Sequence, residues 1–168
     1  MKLLRQTGDR YEFLFGQRER QVFCEVLRAF PVTPLEHHRV TRGENTPALT
    51  EAQQLLHESL TGFKQEARRR LEAFLAEPNR FTPHRDGLRA SFDREEMEWL
   101  LQVLNDIRVG SWLQLGCPDP DAGQRPKLTP DNARYLPIME AAGAFEYALL
   151  AALDGTDGAG WGPPREET

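Results

Sequence analysis

Two charged side chains stand where a helical repeat calls for apolar ones, and they restrict the fold more than any other feature of this chain. At about 100° per residue, Met97, Leu100, Leu101, Leu104, Ile107 and Leu115 share one face of a helix, with Arg108 in their midst. Farther along, Ile138, Ala142, Phe145, Leu149 and Leu153 line a second face, with Met139 and Leu150 at its margin and Glu146 between them. A lone charge on either stripe is costly to bury, whereas a guanidinium and a carboxylate neutralise each other through paired hydrogen bonds. The pattern predicts two helices packed face to face, with Arg108 meeting Glu146 inside. Such a pair can fix helix register without any activity. Set in the wall of a small polar pocket, the same pair would let Arg108 bind an anionic ligand and Glu146 orient it. Asn105 and Asp106 point off this face and are expected to meet water or another element.

Proline, glycine and capping residues divide the rest of the chain. Leu3 to Phe15 alternates as a β-hairpin around Gly8-Asp9, with Leu4 opposite Phe13, Gln6 opposite Tyr11 and Arg5 opposite Glu12. A lone hairpin is marginal in water. Leu88, Ala90 and Phe92 alternate with Arg89 and Ser91 and are the candidate third strand. Val22, Phe23, Val26, Leu27 and Phe30 form a helical stripe that Pro31 and Pro34 end. Residues 31 to 49 read as a long irregular connection. Thr50 with Gln53 signals the start of a helix running to about Ala76, with the core stripe Leu56, Leu60, Phe63, Ala67, Leu71 and Phe74. Asp93 with Glu96 opens the Arg108 helix, which Gly116 stops. After a second irregular stretch, Thr129-Pro130 starts a short turn, and the last helix is expected over Pro137 to Leu153.

The expected fold class is therefore mainly α: an irregular bundle of about four helices, a small N-terminal β-hairpin, and a third short strand as a further option. Residues 1 to 153 are expected to form a single domain. The tail, 154 to 168, carries four Gly and two Pro and is expected to be flexible. With 168 residues, 39% hydrophobic and 28% charged, the chain can bury a core without disulfide staples. Its net charge of -5 weighs against a dedicated nucleic-acid binder. The charged start from Met1 to Arg10 does not read as a signal peptide, and no run approaches the ~18 consecutive apolar residues of a membrane span.

The usual signatures of chemistry are missing from the sequence. Cys24 and Cys117 belong to no Cys-x-x-Cys motif and read as reduced thiols of a cytoplasmic protein. His37 and His38 are adjacent in a connection, without metal-ligand spacing. His57 flanks the long helix's stripe, and His84 sits in a Thr-Pro-His turn; neither is joined to a nucleophile pattern. Counted from Asp119, the calcium-loop positions six and twelve hold Gln124 and Pro130, so Asp119 to Gly123 reads as a rigid turn. Arg68, Arg69 and Arg70 fan out around a helix beside Glu66 and Glu72 and read as a solvated face. No catalytic residue, metal or cofactor is predicted.

The run Trp99-Leu100-Leu101-Gln102-Val103-Leu104-Asn105-Asp106-Ile107-Arg108, followed by Leu115-Gly116, resembles a helix of an uncharacterised bacterial family of small proteins. There a Leu-Asn-x-x-Arg core is likewise followed by Leu-Gly, an irregular segment and a last helix led by an aromatic residue, matched here by Tyr135. Gln114 stands where that pattern has a basic residue, and the proline-rich loop is longer. The resemblance implies no activity. Family members are often encoded beside the adaptor of the Clp protease, an association that implies a link to protein turnover. The expected function is a cytoplasmic, non-catalytic interaction or regulatory module with a protein partner, Trp112 or Trp161 being candidate anchors. The alternative is a small anionic-ligand binder or enzyme with Arg108 and Glu146 at its site.

Overall fold

A computed structural model describes residues 1–38, 46–119 and 121–155. The chain opens with β1 (Lys2–Thr7) and β2 (Arg10–Phe15), an antiparallel hairpin turned by Gly8, whose φ of 58° lies in the left-handed region open to glycine. Gln6 pairs with Tyr11 and Arg5 with Glu12, as the alternation predicts, but Leu3 rather than Leu4 faces Phe13. The register shifts between Leu3 and Arg5, so Leu4 is an extra residue that breaks the two-residue period. Leu3 packs on the core as a result, and Leu4 is exposed.

After α1 (Gln17–Arg28), a short 3-10 turn at Leu35–His37 and α2 (Pro47–Ala76), two more strands follow: β3 (Thr82–His84) and β4 (Gly87–Asp93). Together the strands form one antiparallel sheet in the order β1-β2-β4-β3. The protein is therefore an α+β fold and not a helical bundle with a hairpin appended. The Leu88–Phe92 alternation does make a strand, and it pairs along all of β2, with Phe13 opposite Ala90 and Tyr11 opposite Phe92. His84 lies in edge strand β3, not in a turn; Pro83 beside it is tolerated because an edge strand leaves one side without hydrogen-bonding demands. Gly87 starts β4 at φ 150°, where a Cβ would stand 2.4 Å from the Phe15 carbonyl oxygen.

Tyr11, Phe13, Phe15, Ala90 and Phe92 face inward and are fully or almost fully buried. Against them pack α1, the C-terminal half of α2, α3 (Arg94–Gln114) and α4 (Tyr135–Leu153). Phe23 of α1 meets Phe145 of α4 edge-on at 4.9 Å between ring centroids, and Phe74 of α2 reaches both Phe92 and Trp99. On α1, Cys24 joins Phe23, Val26 and Leu27 inside, whereas Val22 is exposed. The α3 capping box forms as its sequence indicates: Glu96 N–H donates to Asp93 Oδ1 at 2.8 Å, and Asp93 N–H donates to the Glu96 carboxylate at 3.2 Å. Gly116, at φ 82°, follows the helix end.

Two helix starts differ from their sequence signals. The N-cap of α2 is Thr46, whose hydroxyl accepts Leu49 N–H, and Pro47 occupies the first turn, which lacks intrahelical acceptors for its N–H groups. Thr50 lies inside the helix and donates back to the Thr46 carbonyl. Helix α4 begins at Tyr135, two residues before Pro137, because a proline in the first turn sacrifices no helical hydrogen bond. The preceding turn is held by Thr129 and Asn132, each backbone N–H donating to the other side chain. Of the predicted α2 stripe, Ala67, Leu71 and Phe74 are buried and Phe63 is exposed. Most of the predicted tail, from residue 156, lies outside the described residues, as does Trp161.

Candidate functional site: the outer face of α3 and α4

Helices α3 and α4 make the most extensive helix contact in the molecule, and Arg108 and Glu146 meet across it. Arg108 Nε lies 2.7 Å from Glu146 Oε2, and Arg108 Nη2 donates to Asn105 Oδ1 at 3.1 Å. The pair predicted from the two stripes therefore forms, but its position is not the interior one expected. The Glu146 side chain is 15% exposed, while that of Arg108 is 47% exposed. Arginine's long stem accounts for the difference: it packs against Gly143, where a Cβ would stand 3.6 Å from Arg108 Cδ, and the head reaches water. Asn105, set aside on the sequence, is part of the pair's surroundings.

Beside the pair runs an open groove of about 630 Å³ lined by Arg108, Val109, Trp112, Met139, Glu140, Gly143, Ala144 and Tyr147. Small residues at 143 and 144 keep its floor low, and Trp112 and Tyr147 leave large apolar surfaces exposed. Trp112 is held in place by its indole N–H, which donates to the Pro118 carbonyl at 3.0 Å. Helix α4 is apolar beyond what its inner side requires. By length and composition it is apolar enough to cross a membrane, with a mean hydropathy of 1.4, yet only 28% of that window is buried.

On the opposite flank of α3, Asp106 organises a polar cluster. Its Oδ1 accepts Val32 N–H at 2.8 Å and Thr33 N–H at 3.2 Å, its backbone carbonyl accepts the Thr33 hydroxyl, and Lys64 Nζ lies 3.0 Å from Oδ2. Lys64 also donates to the Thr33 carbonyl. This carboxylate meets another element, as its position off the α3 stripe allows, and its role is to tie the segment after α1 to α2 and α3. Nearby, burial lowers the pKa of His38, aided by the Lys64 ammonium and His37 and opposed by Asp106. Gln53 Nε2 donates to the His38 carbonyl and sits 2.9 Å from His57 Nε2.

The remaining sequence candidates do not line this groove. Arg68, Arg69 and Arg70 pair with Glu72, Glu66 and Glu95, and the Arg70 guanidinium lies over the Trp99 ring. Asp119 Oδ1 accepts Asp121 N–H and Ala122 N–H, which makes the turn expected there. Cys24 is buried, which raises its thiol pKa, and Cys117 is exposed; both are free. Among the described residues, no group of three or more His, Cys, Asp or Glu side chains is arranged to hold a metal ion. Comparison with family models, curated proteins and solved structures finds no match to this chain.

Proposed function

We propose that this chain is a non-catalytic interaction module, cytoplasmic and regulatory in role, that engages a protein partner through the groove between α3 and α4. The observation that carries this reading is the outward face of α4, where Met139, Gly143, Ala144 and Tyr147 join Trp112 and Val109 in an apolar surface. An exposed apolar groove rimmed by polar side chains has the character of a docking site. Aromatic anchors beside small residues suit a helix or strand end laid between two helices. The alternative, an anionic ligand on Arg108, has less support, because Glu146 already balances the guanidinium's charge. A connection to protein turnover rests on the resemblance of residues 99 to 116 alone.

The reading is tested with a photo-crosslinking amino acid at Ala144 in the groove and, as a control, at Gln21 on α1. We expect a discrete adduct from position 144 only, lost when Trp112→Ser or Tyr147→Ser is added to a protein of unchanged melting temperature. Adducts independent of position or of those substitutions would remove the groove as the docking surface.

A further inference from the structure

We infer that the segment taken by this groove is basic as well as apolar, a short amphipathic helix carrying Lys or Arg beside its apolar side chains. This deepens the proposed function and rests on it. The charges around the groove decide the sign. Among the described residues Arg108 is the only cation lining it, and its Nε is 2.7 Å from Glu146 Oε2, with Asn105 on Nη2. An incoming carboxylate would meet a guanidinium whose charge Glu146 already balances, so it would add an uncompensated negative charge beside Glu146 and Glu140. Glu140, by contrast, lines the groove, is exposed, and has no ion-pair partner among the described residues. One carboxylate thus remains unneutralised at the rim, in a chain whose net charge is -5.

The apolar walls point the same way. Trp112 and Tyr147 offer ring faces, and a cation over an aromatic face is attracted by the ring quadrupole even where water reaches it. The lining residues of α4 span Met139 to Tyr147, about 12 Å of helix rise, which matches roughly two turns of an occupant helix. An occupant with apolar residues at i, i+3 and i+7 would fill the floor over Val109, Gly143 and Ala144. Its Lys or Arg side chains would flank that stripe and reach Glu140 and the two rings.

Two fluorescein-labelled peptides of about 14 residues, long enough for such a helix, test the inference. Both carry the same Leu stripe; one has Lys at the flanking positions and the other Glu. In anisotropy titrations of the full chain we expect the Lys peptide to bind roughly tenfold or more tightly than the Glu peptide, with the preference weakening in high salt. Glu140→Lys, at an exposed position, should invert the order without changing the melting temperature, and Tyr147→Ser should weaken the Lys peptide. Equal or stronger binding of the Glu peptide overturns the inference, as does a Lys peptide that fails to bind or ignores Glu140→Lys. Co-sedimentation with vesicles of phosphatidylcholine and phosphatidylglycerol that depends on Trp112 and Tyr147 also overturns it, assigning the face to lipid. If the peptide order fails while the position-144 adduct persists, the docking surface stands and only its charge preference is wrong. Loss of both removes the surface itself.

Discussion

Lys64 Nζ lies 3.0 Å from Asp106 Oδ2, with 12% and 13% of the two side chains exposed, and this ion pair joins α2 to α3 beneath the Val32–Thr33 segment. The two partners are not equivalent. Asp106→Ala deprives a largely buried ammonium of its counter-ion and two backbone N–H groups of their acceptor, so a loss of about 3–5 kcal/mol is expected. Lys64→Met leaves the carboxylate with both N–H donors and is expected to cost less, about 1–3 kcal/mol. Urea denaturation of the two variants checks the order. Equal losses would mean that the backbone contacts of Asp106 contribute nothing beyond the ion pair.

Glycines 62 and 110 should respond in opposite directions to the same added methyl group. A Cβ at Gly110 would stand 2.4 Å from Thr33 N and 2.5 Å from the Val32 carbonyl carbon, and backbone cannot rotate aside as a side chain can. Gly110→Ala is expected to cost about 3 kcal/mol or more by forcing this segment off α3. Gly62 is exposed in α2 with nothing within 4 Å of its Cβ position. There the helix preference of alanine prevails, and Gly62→Ala should stabilise by about 0.5–1 kcal/mol. Thermal melts of the pair measure both signs.

Arg108 should matter less to stability than a sealed partner would. Glu146 is mostly covered, but Arg108 is close to half exposed, so water can reach the carboxylate once the guanidinium is gone. Arg108→Met is expected to cost about 1–2 kcal/mol, below the penalty of a fully buried orphan charge. The double variant Arg108→Met, Glu146→Leu should recover most of that loss, since an apolar pair can replace an ionic one. A double variant no more stable than the single one would show that the pair orders the helices beyond its charge balance.

His38 gives the protein a specific acid sensitivity. Burial, then the Lys64 ammonium and His37, hold its pKa below the ordinary 6.5, against the pull of Asp106; His57 adds a further lowering. The folded state therefore binds the proton more weakly than the unfolded chain does. Stability linked to His38 is complete above its ordinary pKa and is lost as the pH falls past that value and through the depressed folded one. Replacing it by Gln should flatten the fall in stability as the pH drops below about 6.5, measured by urea titration. An unchanged slope would place the acid sensitivity elsewhere.

What could be read before the structure depended on how local each signal was. The Asp93–Glu96 box, the glycine turn at 8 and the Leu88–Phe92 alternation are near-neighbour patterns, and each appears as read. The Arg108–Glu146 contact was legible because each charge interrupts a periodic stripe. Its exposure was not, because a helical wheel fixes the direction of Cβ and says nothing of where a long flexible stem ends. Strand β3 escaped notice because Pro83 marks a turn unless a neighbouring strand is known to leave an edge. The Asp106 cluster brings together residues more than seventy positions apart in the chain, and no period records that. One hint was available: Gly110 in the middle of an otherwise good helix often indicates close approach of another backbone.

Helix α2 is 30 residues long, about 45 Å of rise, and only its later turns bury side chains in the core. A single continuous rod of this kind has two regimes of hydrogen exchange. Amides near Ala67, Leu71 and Phe74 can open only when the core opens, whereas those near Pro47 to Leu56 need only the free energy of unwinding from the end. Protection should climb along the helix toward its C-terminus by several orders of magnitude, making α2 a graded element: its base belongs to the cooperative unit and its leading turns equilibrate on their own.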